Sequence, residues 1–349
     1  LKTTVTINHE ELHASDGVTS ERYIQWGDKD LLEMQFYVDS MYHGWRLDHF
    51  IGARLRRLSR TRIQVMLARQ LRLGGTEYKA ARRVRFGEVY ALRRVAPDEG
   101  DIPLYFTIEY EDEYLAVVTK PSGLPVHETA RFRTKTLRAM LAKQSPQWRM
   151  AHRLDRETSG LIIVGKEIAV ERKMKELFAK REVRKKYLAI IHGQFPRACE
   201  YNDSIGPDPD SQINLKQRVY TTKEVHEETD LGVALPARTF VEPLVASSKY
   251  SLVQVKPESG RQHQIRVHLS AAGFPIVGDK LYGSDPSLLL QYINDGMNES
   301  MHKTLGMNRH ALHAESLRFS HPVTQQVIEV SSPVPADMQQ FIDRHINSV

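Results

Sequence analysis

The chain has 349 residues, of which 41% are hydrophobic and 26% charged, with a formal net charge of +6. That length exceeds the roughly 250 to 300 residues one core usually fills and implies two domains, while the composition excludes disordered and fibrous classes. The single cysteine, Cys199, excludes an intrachain disulfide framework and a cysteine-rich zinc site; with no apolar run of membrane-spanning length and no basic-then-apolar leader pattern at the start, the expected location is the cytoplasm.

Residues 1–44 are polar and weakly periodic, with a break at Gly17 and a predicted strand over Leu31 to Val38, and no function is assigned to them. Residues 45–97 form a compact unit. Leu47, Ile51, Leu55 and Leu58 fall at helical spacing, Ser59 can cap a second helix, and Ile63, Met66 and Leu67 supply that helix's apolar positions. Gly74-Gly75 ends it, and Val84 to Val95 alternates like strands around Gly87-Glu88. From Trp45 to Val95 the chain carries thirteen arginines and one lysine against Asp48, Glu77 and Glu88, an excess of eleven positive charges. Such a concentration, almost all of it arginine, predicts a phosphate-binding surface on which Arg54, Arg57, Arg60 and Arg62 lie away from the buried leucines.

The stretch Ala96 to Pro103, rich in proline, glycine and acid, marks a boundary, and residues 98–349 form the second domain. Tyr105 to Tyr110, Leu115 to Thr119, residues 161–164, Tyr187 to Ile191 and Tyr250 to Val255 read as strands. Glu167 to Arg181 and Gln262 to Ala272 read as helices, and Ser316 to Phe319 with Val327 to Val330 as a hairpin. The expected fold class is α+β, with a mostly antiparallel mixed sheet beside a small N-terminal α/β domain. Residues 201–248 and 284–309 read as surface insertions.

Two dense polar runs stand far apart in this second domain: His152-Arg153-Leu154-Asp155-Arg156-Glu157-Thr158-Ser159-Gly160, and Ser259 to Leu269 with Arg261, His263, Arg266 and His268. Each crowds basic residues and glycine against buried elements, so the pair is expected to form two walls of one cleft, with the acid of the first meeting the arginines of the second. His263, His268, His310 and His313 invite a metal reading, but isolated histidines are common and no metal site is expected. The chain also lacks a Walker loop and a dinucleotide fingerprint.

These residues carry a specific resemblance. Over about residues 104–335 the chain resembles the RluA-type family of RNA pseudouridine synthases in five ordered segments: KPSGLPVH (from Lys120), HRLDRETSG, KKYLAIIHG (from Lys185), GRQHQIRVHL with GFPIVGDKLYG, and LHAESLRFSHP (from Leu312). Residues 45–97 resemble the S4 RNA-binding module, with Leu73-Gly74-Gly75 standing where its usual Asn-Gly turn would be, and Ser259 stands where the enzyme family usually has threonine. The resemblance implies an isomerase that breaks the glycosidic bond of a uridine in RNA, turns the base and rejoins it through carbon, with no cofactor. It implies Asp155 as the catalytic carboxylate, Arg266 as its cationic partner with Arg261 as the alternative, and Tyr187 stacked on the base. Arg153 would fill the gap left in the RNA, with His152, Arg156, His263 and Lys120 as further substrate-binding residues. Large-subunit (23S-type) ribosomal RNA is the expected partner, met by a monomer. The alternatives are transfer RNA as substrate, a base-excising glycosidase, and a catalytically inactive RNA-binding or ribosome assembly factor.

Overall fold

The computed structural model of the protein describes residues 3–6, 20–26, 29–55, 58–129, 131–211, 213–221, 224, 234–283, 285 and 287–347, with the backbone alone for 3–6, 20–26, 29 and 293–295. They fall into two compact units, one holding Leu1–Ile7, Ile102–His127 and Lys135–Val349, the other Asn8–Asp101 and Glu128–Thr134.

In the smaller unit, strand Lys29–Tyr37 pairs antiparallel with Ser20–Trp26 on one side and Val89–Val95 on the other. Helices Leu47–Arg54 and Arg60–Ala68 cover this sheet, burying Leu47, Phe50, Ile51, Ile63 and Leu67 against Leu32, Phe36 and Leu92. Ser59 caps the second helix by accepting the Arg62 amide at 3.4 Å, which satisfies one of its orphan donors. The middle strand precedes residue 45, so the unit is wider than the 45–97 expected from sequence. It also takes in residues 128–134, where Thr134 donates its amide and hydroxyl to buried Glu99 at 2.9 Å each.

The larger unit is built on an eleven-stranded sheet. Its order runs Thr3–Thr6, Tyr105–Glu111, Leu115–Lys120, Ser159–Gly165, Leu312–Ser320, Arg184–His192, Tyr250–Pro257, Thr239–Ala246, Cys199–Tyr201, with Val327–Ser331 added to Leu312–Ser320 and Arg149–Met150 to Ser159–Gly165. Among these strands the pairing is antiparallel except between Ser159–Gly165 and Leu312–Ser320. The Ser159–Gly165 strand is buried on both faces. Ile162 and Val164 pack with Leu137, Met140 and Leu141 of helix Leu137–Gln144, while Leu161 and Ile163 pack with Val170 and Met174 of helix Ile168–Ala179. Side chains that size contribute about 1.5 to 3 kcal/mol each when fully buried, so this strand anchors the loop that precedes it.

Two expected insertions prove to be structured. Within 201–248, Thr239–Ala246 is a strand of the main sheet, and Ser204–Pro207, Gln217–Tyr220 and Leu235–Pro236 form a separate three-stranded sheet. Within 284–309, helices Leu288–Asp295 and Glu299–Leu305 share a small core of Leu288, Met301 and Leu305. No helix of the described residues is long and apolar enough to cross a membrane.

Candidate active site

Strand pairing brings the two polar runs together. Gly160 pairs with Ala314, and Ala314 pairs on its other side with Tyr187, so the loop before Ser159 opens beside Tyr187. The next strand pairs Val255 with Tyr187 and leads through Ser259 into helix Gln264–Ala271, which carries Arg266. Gly160 has φ +112, and a Cβ there would run into the Ala314 backbone, so only glycine allows these strands to approach so closely.

The result is a cleft of about 300 Å³ lined by Arg153, Asp155, Lys185, Tyr187, Arg261 and Arg266, with His152, His263, Phe178 and Leu312 completing its walls. That volume suits one base or nucleoside better than a helical segment. At its centre Arg266 donates from Nη1 to Asp155 Oδ2 at 2.8 Å and uses Nε and Nη2 on Asp279 at 2.7 and 3.0 Å. Asp279 also accepts the amides of Leu281 and Tyr282, and the Tyr282 ring lies under the guanidinium at 4.9 Å. The fork of Arg266 is therefore fixed by Asp279 and Tyr282 before it meets Asp155.

Burial pushes the Asp155 carboxyl up, but the charge and hydrogen bond of Arg266 together with the fields of His263 and His310 overcome it and hold it at about 2, so it is ionised at neutral pH. Its side chain remains 22% exposed, with Oδ2 held by Arg266 and Oδ1 3.8 Å from His263 Nε2. Burial and Asp155 raise the Tyr187 phenol well above its ordinary range, which keeps it protonated. Lys185 donates to the Ser259 carbonyl at 2.8 Å, and burial lowers it to about 8. With exposed Arg153 and with Arg261, it gives the rim three cations around one acid.

Other expected site residues lie elsewhere or, in the cleft wall, are already bonded. Lys120 does not line the cleft: it is fully buried and donates to the carbonyls of Pro121, Leu124 and Arg156 at 2.8, 2.9 and 3.0 Å, clamping two loops together. Arg156 turns from the cleft toward Glu157 and the Tyr292 hydroxyl, each at 3.4 Å. His152 lines the cleft wall, but its Nε2 accepts the Ile163 amide at 3.0 Å, and burial with Lys185 lowers it to about 3, so it is a neutral structural group. Among the arginines expected to share one open surface, Arg54 is bound to Asp39 at 2.8 Å and packs over Tyr42, while Arg60 joins Arg46 and Gln64 on buried Asp48. Arg62 is exposed, and Arg57 lies outside the described residues. The four histidines are each committed to a different oxygen partner: His263 to Tyr282, His268 to Thr239, His310 to Thr158 and His313 to Ser159.

Sequence reasoning missed Asp279, Tyr282, Lys185 and the ion pair in which Lys280 donates to Glu157 at 3.0 Å, tying the Asp155 loop to the Asp279 turn. The segment GDKLYG contains three of these five, but acids and lysines beside glycine read as turn residues until a distant partner is known.

The profile of a family described as RNA pseudouridylate synthase matches residues 114–271. The chain is 31% identical over 312 residues to "Ribosomal large subunit pseudouridine synthase D" of Xylella fastidiosa (strain Temecula1), covering 86% of this chain and 88% of that one. It is 27% identical over 321 residues to "Ribosomal large subunit pseudouridine synthase C" of Vibrio vulnificus (strain CMCP6), covering 87% and 94%. Among solved structures it is similar to Human RNA Pseudouridylate Synthase Domain Containing 4, with 26% identity, a TM-score of 0.52 and coverage of 68% and 92%.

Proposed function

This chain belongs to the RNA pseudouridylate synthase family, and we propose that it isomerises uridine in large-subunit ribosomal RNA with Asp155 as the reacting carboxylate. The reaction exchanges the N1 to C1′ bond of a uridine for a C5 to C1′ bond, so it calls for a group that labilises the sugar or base, a role an ionised carboxylate can fill, and a proton acceptor for C5. One observation carries the assignment: an ionised carboxylate lining a base-sized cleft, with one of its oxygens held by Arg266.

The remaining roles follow from position. Tyr187 lies against the turned-out base, its neutral phenol within the same cavity, and Arg153, Lys185 and Arg261 hold the flanking phosphates. The smaller unit, which contains the S4-like residues 45–97, acts as an RNA-binding domain and the larger unit as the catalytic domain. Ribosomal RNA is favoured because the two relatives described above, matched over most of the chain, are named for the large ribosomal subunit. On the same reading a single chain acts in the cytoplasm, where that RNA is found.

Asp155→Asn keeps the shape of the side chain and removes its charge. Tritium release from RNA labelled at uridine C5 is expected to fall about 10⁴-fold or more while RNA binding stays within a fewfold of the parent. Substantial residual release would remove Asp155 from the reacting role.

A further inference from the structure

The second oxygen of Asp155 faces a histidine whose protonation is fixed by a chain of hydrogen bonds running away from the cleft. Gln217 donates its backbone amide to the Tyr282 hydroxyl oxygen at 2.9 Å. Tyr282 stands 2.8 Å from His263 Nδ1, and no other acceptor for its proton is present among the described residues. The phenol is therefore the donor and Nδ1 the acceptor, which leaves the imidazole proton on Nε2. That atom points to Asp155 Oδ1 at 3.8 Å. The separation is too long for a hydrogen bond between them, but it leaves both groups facing the same part of the cavity.

The backbone supports the same conclusion. His263 has φ 56, a left-handed conformation that costs a non-glycine residue about 1 to 3 kcal/mol and persists where the surroundings enforce it. This conformation places the imidazole between Tyr282 and Asp155 at the start of helix Gln264–Ala271, with its side chain 11% exposed. The Tyr282 ring is seated by Ile205, Ala237 and Val267, so the small three-stranded sheet and the helix together position the hydroxyl. Burial lowers the imidazole to about 4 despite the neighbouring carboxylates, so it stays neutral and does not compete with Arg266 for Asp155.

We propose that His263, held in one tautomer by Tyr282 and the Gln217 amide, is an Nε2–H donor to a carbonyl oxygen of the uracil as the base leaves the sugar. When the N1 to C1′ bond breaks, its electron pair stays on the base, and the charge spreads onto the carbonyl oxygens. A neutral donor beside Asp155 Oδ1 meets that charge at the place where it forms. The proton remains on Nε2 throughout, so the step needs no co-reactant. This inference rests on the assignment of the Asp155 cleft to the uridine.

The test joins one spectroscopic and one kinetic readout on the full chain. In ¹⁵N-histidine-labelled protein at neutral pH, the His263 signals, identified by their loss in His263→Gln, are expected to show a protonated Nε2 and an acceptor Nδ1. Tyr282→Phe, which keeps the ring under Arg266, is expected to mix the two tautomers. In single-turnover assays on a large-subunit ribosomal RNA transcript, His263→Asn is expected to slow tritium release about 10²-fold with RNA affinity unchanged. His263→Gln, whose amide N–H reaches as far as Nε2, is expected to recover about tenfold of that loss. A protonated Nδ1 in the parent protein would overturn the proposal. So would equal rates for the Gln and Asn variants, provided Asp155→Asn is inactive in the same assay. If Asp155→Asn turns over normally, the cleft assignment itself fails and the proposal falls with it.

Discussion

At the level of single residues, the site is an exercise in placing charge out of water with its partners already chosen. Arg266 is buried between two carboxylates, and Asp279 takes the bidentate side, so Asp155 receives one hydrogen bond from it, at Oδ2 alone. The same burial keeps several histidines neutral. His152 lies at about 3 and His310 and His313 at about 4, all driven down first by desolvation. Unfolded histidine titrates near 6.5, so between about pH 4 and 6.5 the unfolded chain binds more protons than the folded one. Stability is therefore fully present above pH 6.5 and is lost as pH falls, at up to about 1.4 kcal/mol per pH unit for each such group. Urea midpoints measured from pH 7.5 down to 4 should fall most steeply below 6.5; a flat profile over that range would contradict the assigned neutrality.

Much of this residue-level chemistry was legible in the sequence because the acid and its arginine sit in dense, separated runs. The pattern pointed to an acid near the arginines of the second run and the family resemblance to Arg266 among them; these two side chains lie 2.8 Å apart. What sequence could not show is where charges are already used. Arg54 and Arg60 read as open cations, but Asp39 and buried Asp48 take them up. Lys120 read as a site residue, yet three carbonyls occupy its three protons.

At the level of elements, the close approach of Ser159–Gly165 to Leu312–Ser320 decides the geometry of the cleft. Gly160 combines a left-handed φ with direct backbone contact to Ala314. Gly160→Ala should cost about 3 kcal/mol or more, seen as a lowered urea midpoint, because the neighbour that must move is main chain. Retention of full stability would show that the two strands can separate without cost. The Thr239–Ala246 strand escaped sequence reading for a related reason. Pro243 interrupts FVEPLVA and signals a break, but it falls where the register with Tyr250–Pro257 shifts, the kind of position at which a sheet tolerates proline. The hairpin over Ser316 to Phe319 and Val327 to Val330 was readable because two short runs of strand-forming residues flank the turn at Pro322.

At the level of the whole molecule, the proposed reading divides the work between the two compact units by charge. The smaller unit holds the arginine-rich segment, where Arg62, Arg69 and Arg72 stand exposed on or beside helix Arg60–Ala68. Replacing these three with glutamine should weaken RNA binding most at low salt. The slope of log affinity against log salt should become shallower by about 0.7 to 0.9 for each phosphate that is no longer neutralised. An unchanged slope would show that this face does not touch RNA. On the proposed reading the larger unit supplies the chemistry, through a base-sized cleft in which Arg266 holds Asp155.

The most direct test of that account is a pseudouridine map. Purified protein and its Asp155→Asn variant are incubated with unmodified ribosomal RNA and unmodified transfer RNA, and pseudouridine is located by carbodiimide-stop primer extension. The account predicts stops at discrete positions in large-subunit ribosomal RNA with the parent protein and none with the variant. Stops confined to transfer RNA would contradict the assigned substrate, and stops that persist with Asp155→Asn would contradict the mechanism.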